Sequence, residues 1–121
     1  MEVRVCREDE LVAGVVRTVD LGRDQQGRPF VALLLRDERG AVVAYRNMCR
    51  HLPVPLDGGT GRFLSEDRAH LICGTHGAIY RLDDGHCVEG PCAGRALHRL
   101  RVRRRGHHLY VSSEPAPAPD R

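Results

Sequence analysis

An antiparallel all-β sandwich is the fold this sequence predicts, and three observations predict it. Short apolar runs are broken at close intervals by turn residues; no stretch carries a helical period; and no segment repeats. With 121 residues and 41% hydrophobic content, the chain is the size of one compact domain. Aromatic residues make up only 4% and Trp is absent, so Val, Leu, Ile and Ala must supply the core. A modest core in a chain with 13 Gly and 7 Pro favours an added staple, and 5 Cys and 7 His supply candidate ligands for one.

Taken in order, Val3–Cys6 is the first expected strand and Gly14–Leu21 the second, ending at the polar turn Gly22–Gly27. Phe30–Arg36 and Ala41–Arg46 are rich in branched apolar residues and flank Asp37-Glu38-Arg39-Gly40, a four-residue hairpin connection ending in Gly. Asn47–Gly61 holds three Gly and two Pro, so it is a loop, and its Cys and His give that loop a task. His70–Cys73 reads as a strand, Gly74-Thr75-His76-Gly77 as a tight second loop and Ala78–Leu82 as the strand leaving it. Asp83-Asp84-Gly85 turns the chain. Leu97–Arg103 predicts a half-buried strand, with Leu100 and Val102 on one side and Arg99, Arg101 and Arg103 on the other. Arg105-Gly106 leads into His108–Val111. One domain is expected over residues 1–112, followed by a disordered Pro/Ala-rich tail over 113–121.

The first residues are charged, without the basic and then apolar pattern of a secretory signal. The longest apolar run, Phe30–Leu35, is far too short to span a bilayer. A soluble, cytoplasmic protein is expected, with no membrane association. In a reducing cytosol its cysteines are better explained as metal ligands or buried thiols than as disulfides. The net charge of +3 selects no partner class by itself, and scarce aromatics argue against nucleic acid.

The central constellation is Cys49-Arg50-His51, then 21 intervening residues, then Cys73-Gly74-Thr75-His76. Each half offers one thiolate and one imidazole on a flexible loop that follows a strand. Two Cys and two His can hold a tetrahedral zinc, usually with two to four residues between paired ligands. The single residue between Cys49 and His51 is tight for two ligands on one small ion. A binuclear cluster avoids the problem, because thiolate and imidazole can go to different irons.

Cys49-Arg50-His51-Leu52, Cys73-Gly74-Thr75-His76-Gly77, the following Ala78-Ile79-Tyr80 and the later Gly90-Pro91 resemble a Rieske [2Fe-2S] protein of the small ferredoxin type, over roughly Val12 to Val111. The resemblance implies a Rieske-like sandwich whose cluster-binding subdomain is built from two loops. It implies one [2Fe-2S] cluster, with Cys49 and Cys73 on one iron and His51 and His76 on the other. Gly90-Pro91 would lie in a loop over the cluster, while Leu52, Gly74, Gly77, Ala78 and Tyr80 would form its surroundings.

The chain also departs from that pattern. The segment between His51 and Cys73 is longer than usual, so Gly58–Ala69 is expected to be an extended hairpin. The respiratory branch of the family joins its two cluster loops by a disulfide; Val54 and Thr75 stand at the corresponding positions here and cannot form one. Ala78 stands where that branch has a Ser that donates to the cluster, whereas Tyr80 is retained. The implied function is that of a carrier passing single electrons between a reductase and a terminal oxidoreductase such as an oxygenase. Such a carrier has no small-molecule substrate and is not an enzyme. A small Rieske subunit of a larger oxidoreductase and a zinc-stabilised binding module remain the alternatives.

Two neutral imidazoles in place of thiolates make an added electron less costly, which lifts the potential from about −400 mV to between roughly −150 and +300 mV. With Ala78 unable to donate, a value in the lower half of that window is expected, along with pH dependence in the alkaline range. Cys87 and Cys92 flank the Gly90-Pro91 turn as a potential disulfide or, more simply, as buried packing thiols; Cys6 reads as a buried thiol. His70, His86, His98, His107 and His108 have no cysteine at ligand spacing and are expected on strands or the surface. The Arg99, Arg101 and Arg103 stripe is either the solvated face of an edge strand or a docking face for an acidic partner.

Overall fold

The computed structural model describes residues 2–116. Nine strands follow one another: β1 (Glu2–Arg7), β2 (Arg17–Arg23), β3 (Pro29–Arg36), β4 (Val42–Arg46), β5 (His70–Ile72), β6 (Ile79–Arg81), β7 (Cys87–Glu89), β8 (Leu100–Arg105) and β9 (His108–Pro115). A 3₁₀ turn, Glu8–Glu10, follows β1. The strands form three antiparallel sheets, ordered β1-β9-β8, β2-β3-β4 and β5-β6-β7. Among the described residues, no helix is long and apolar enough to cross a membrane.

β3 explains how the sheets stack. Its side chains alternate between two faces, and both faces are covered. Leu33 and Leu35, with Val43 and Tyr45 of β4, pack against Leu56, Leu71, Tyr80 and Leu97 on the side of the ligand-bearing loops. Ala32, Leu34 and Ala44 pack the other way, against Leu11, Leu100, Leu109 and Val111. The unbroken run Phe30–Leu35 is thus the signature of a strand shielded on both sides.

The expected hairpin after β3 is present. The backbone N–H of Asp37 donates to the Ala41 carbonyl at 2.9 Å, and the Asp37 carboxylate accepts from the N–H groups of Arg39 and Ala41. A hairpin forms here, but over Phe63–Ile72 and not over Gly58–Ala69, whose first residues are turns: Ser65 N–H donates to the His70 carbonyl, Ile72 N–H to that of Phe63, and Leu64 bridges Leu71.

Three strand boundaries differ from the sequence expectation by three residues or more. The second strand begins at Arg17 and not Gly14, because Val12–Val15 close a turn through a 3.3 Å bond from Val15 N–H to the Val12 carbonyl. The strand expected from Leu97 begins at Leu100, because Leu97 donates its N–H to Gly85 and belongs to the loop side of the core. β9 continues through Ser113–Pro115, where a loose tail is expected: Pro115 pairs with Leu100, and Ala116 donates its N–H to the Arg99 carbonyl at 2.9 Å. The remainder of that tail, 117–121, lies outside the described residues. Strand β7 is an addition to the expected set.

Candidate metal centre

The first loop leaves β4 and folds back on itself. Cys49 donates its N–H to the Val54 carbonyl at 2.9 Å, and the Asn47 side chain accepts the Leu56 N–H at 2.8 Å. The second loop is the tip of the β5–β6 hairpin, closed by bonds from Cys73 N–H to the Ala78 carbonyl and from Gly77 N–H to the Cys73 carbonyl. Gly77 takes a φ of +72°, in the left-handed region that favours glycine, and so permits the reversal directly after His76. The two tips are tied by one backbone bond, from Gly74 N–H to the Leu56 carbonyl at 2.9 Å.

A third loop, following β7, sits over the second. Gly90 has a φ of +104°, and a methyl there would come within 2.8 Å of the Ala78 Cα, so only glycine allows this close approach. Pro91 is exposed beside it, and Ala78 is fully buried beneath. Arg50 secures the same end by donating Nη1–H to the Ala96 carbonyl at 2.9 Å.

The donor atoms are sorted by depth. Cys49 and Cys73 are 3% and 1% exposed, and their thiols are near enough to affect one another's ionisation. His51 and His76 are exposed, their ring centroids 4.8 Å apart with planes at 82°, and Leu52 is exposed beside them. Among the described residues, no three His, Cys, Asp or Glu side chains gather closely enough to hold a single ion. Burial pushes the Cys49 thiol up, but hydrogen bonds from the Tyr80 hydroxyl and from the backbone of His51 and Leu52 outweigh it and hold the thiol below its ordinary value. Cys73 lies above its ordinary value, chiefly through burial.

Tyr80 lies at the junction. Its buried hydroxyl accepts the Arg50 N–H at 3.1 Å and stands 3.4 Å from Cys49 Sγ and 3.0 Å from Cys92 Sγ. Burial raises its own ionisation well above the usual phenol range. The sequence reading singles out Tyr80 but misses its contact with Cys92, which lies 3.1 Å from Cys87 Sγ. The available signal was the pairing of Tyr80 with Cys87 across a short hairpin. Asn47 also escapes the sequence reading, since a lone Asn before a loop carries no mark of its role. His70 and His108 lie in strands, His86 in an isolated bridge with Ala96, His107 in a turn and His98 in irregular chain before β8, all outside the two loops that carry Cys49, His51, Cys73 and His76.

Fold and site together define a small antiparallel β protein that brings a buried thiol pair and an exposed imidazole pair to adjoining loop tips. The chain belongs to the Rieske [2Fe-2S] domain family, whose model matches residues 1–109. Its cofactor is one Rieske-type [2Fe-2S] cluster. No curated protein matches the sequence.

Solved structures share the fold. The ferredoxin of carbazole 1,9a-dioxygenase from Nocardioides aromaticivorans IC177 is 24% identical with a TM-score of 0.66, over 94% of this chain and 99% of that one. A chain in a complex of reduced oxygenase and oxidised ferredoxin in carbazole 1,9a-dioxygenase is 19% identical with a TM-score of 0.69, over 96% of each chain. The terminal oxygenase of carbazole 1,9a-dioxygenase from Novosphingobium sp. KA1 is 25% identical with a TM-score of 0.69, over 96% of this chain but 31% of that one. The chain likewise spans 30% of the matched chain in a reduced oxygenase–ferredoxin complex.

Proposed function

We propose that this chain is a single-domain, cytoplasmic ferredoxin that carries single electrons from a reductase to a terminal oxidoreductase such as an aromatic-ring oxygenase, with no catalytic site of its own. In this reading Cys49 and Cys73 hold one iron, and His51 and His76 the other. The observation that carries it is the sorting of donors: two thiols meet in the core while two imidazoles meet at the surface. A single tetrahedral ion would draw all four donors to one point, whereas here they stand as two pairs. That donor set suits a cluster with sulfur ligation on one iron and nitrogen ligation on the other.

When bound, the cluster takes up and releases one electron. The remaining work belongs to the protein. Cys49 and Cys73 are shielded from water by Tyr80, Ala78 and Leu56, which lie in the same buried core. The Tyr80 hydroxyl is placed to donate toward Cys49 Sγ and so to stabilise added negative charge there. His51 and His76 face solvent with Leu52, giving a partner a short route to the centre. The fold shared with ferredoxin and oxygenase chains of carbazole 1,9a-dioxygenase supports a partner of the oxygenase kind.

Anaerobically prepared protein is expected to contain iron and acid-labile sulfide in equal amounts, to absorb in the visible and to show a low-g electron resonance when reduced. Cys49→Ser, Cys73→Ser, His51→Ala and His76→Ala should each lose that resonance, while His98→Ala keeps it. A colourless zinc protein, or a resonance that survives His51→Ala with His76→Ala, overturns the ligand set. Substrate turnover by a reductase and oxygenase that does not depend on added chain overturns the carrier role.

A further inference from the structure

Next to the proposed ligands lie two sulfur atoms that electron transfer does not require. Cys87, in β7, pairs with Tyr80 of β6, and Cys92 follows the Gly90-Pro91 turn. Both are buried, and their Sγ atoms are 3.1 Å apart. A disulfide bond is about 2.05 Å long, so roughly 1 Å separates this contact from a covalent one. The backbone holds the two residues together: Cys87 N–H donates to the Arg95 carbonyl at 2.7 Å, Gly94 N–H to that of Cys87, and Arg95 N–H to that of Cys92.

The contact continues toward the centre. A phenol has one proton to give. Two sulfur atoms compete for that of Tyr80, Cys92 at 3.0 Å and Cys49 at 3.4 Å, and its oxygen already accepts from Arg50. While Cys92 is a thiol that donates to Cys87, its lone pairs remain open to Tyr80. We infer that Cys87 and Cys92 form a reversible disulfide, and that closing it turns the Tyr80 proton from Cys92 to Cys49. The first half stands by itself; the second rests on Cys49 being a cluster ligand.

The oxidant is a peroxide, small enough to reach a buried thiol. One sulfur takes an oxygen atom from hydrogen peroxide and becomes a sulfenic acid as water leaves; the other sulfur displaces the hydroxyl as a second water. Two thiols and one peroxide thus give one disulfide and two waters, and two electrons pass from sulfur to oxygen. Dithiothreitol reverses the reaction by exchange, ending as its own cyclic disulfide. Closure removes the Cys92 proton and draws its sulfur about 1 Å nearer Cys87, which breaks the geometry of its contact with the Tyr80 hydroxyl. A stronger hydrogen bond to Cys49 favours the more negative, reduced state, so the potential rises.

The test begins on holoprotein treated with hydrogen peroxide, quenched in acid, denatured, alkylated with iodoacetamide and cut with trypsin. Cleavage after Arg81 and Arg95 leaves Leu82–Arg95, which contains both cysteines. That peptide is expected to escape alkylation and be two hydrogens lighter, and dithiothreitol should restore alkylation at both cysteines. A peptide that stays doubly alkylated, or passes to sulfinic acid without closing, overturns the pair whether or not Cys49 binds iron.

Voltammetry of protein that keeps its visible absorbance tests the second half. Peroxide is expected to raise the wild-type potential, and Cys92→Ala to reproduce the higher value without peroxide. Cys87→Ala should keep the lower value and stop responding, and Tyr80→Phe should form the disulfide with no shift. A wild-type disulfide that leaves the potential unmoved overturns the handover while leaving the pair and the ligand set standing.

Discussion

Tyr80 joins the most consequences at one side chain. Replacing it with Phe keeps the ring in the core but leaves the Arg50 N–H and Cys49 Sγ without its hydroxyl. An unsatisfied buried donor costs about 1–3 kcal/mol, so Tyr80→Phe is expected to melt at a lower temperature, and its midpoint potential is expected to lie below that of wild type with the Cys87–Cys92 disulfide closed. Calorimetry and voltammetry check the two effects, and a potential equal to that of the closed wild type would show that the hydroxyl does not act on the ligand sulfur. Gly90 acts by shape alone. Gly90→Ala sets a methyl against the Ala78 Cα, a backbone atom that cannot yield, at a φ that L residues avoid. The strain of about 1–3 kcal/mol should appear as a lower melting temperature and faster bleaching of the visible band, since the covering loop must lift.

Among the elements, β3 reports on two cores at once. Leu33→Ala and Leu34→Ala remove neighbouring, fully buried side chains on opposite faces, each at a cost of about 2–5 kcal/mol. Thermal unfolding is expected to show similar losses for the two. Loss of the visible band below the melting point should be hastened only by Leu33→Ala, whose side chain packs in the cluster that contains Cys49 and Cys73. The β2–β3 connection carries a pH signature. Asp24 accepts from the Gln26 and Arg28 N–H groups and pairs with Arg46 at 2.8 Å, and these bonds, that from Arg46 foremost, hold its carboxyl below the usual 3.8. A lowered folded-state value means that the carboxylate stabilises the fold above about pH 3.8 and loses this effect as pH falls through the folded value. The melting-temperature gap between wild type and Asp24→Asn should therefore be full near neutrality and shrink in acid; a constant gap would contradict the assignment. Most strands were legible because their apolar runs and turn residues are local signals. β7 was not, since three residues beside a Gly-Pro turn offer no period to read, and its pairing comes only from the hairpin that Tyr80 begins. The extension of β9 was hidden by Pro115, which ends the ladder where its missing N–H does no harm.

Over the whole molecule, the positive stripe on β8 is largely answered from within. Arg101 pairs with Glu114, Arg103 with Glu2 and Arg104 with Glu8, while Arg99 donates to the Asp83 carbonyl at 3.0 Å. This favours the solvated-face reading of the stripe over docking to an acidic partner. The expected proof is an electron-transfer rate to an oxygenase that changes little on Arg101→Ala with Arg103→Ala, measured by stopped flow at low ionic strength. The four proposed ligands were legible because each half of the motif is a few adjacent residues. The sorting of thiols inward and imidazoles outward was not, because it depends on two loops meeting through the Gly74–Leu56 bond. The double shielding of β3 also bears on how the chain survives its own synthesis. Phe30–Leu35 is a six-residue stretch without a charge, the composition that stacks between molecules when it meets water. Arg28 and Pro29 before it, and Arg36 and Asp37 after it, stand as brakes at its two ends. Any nascent or heat-opened copy therefore depends on those four residues to stay out of fibrous deposits until the neighbouring strands close over it.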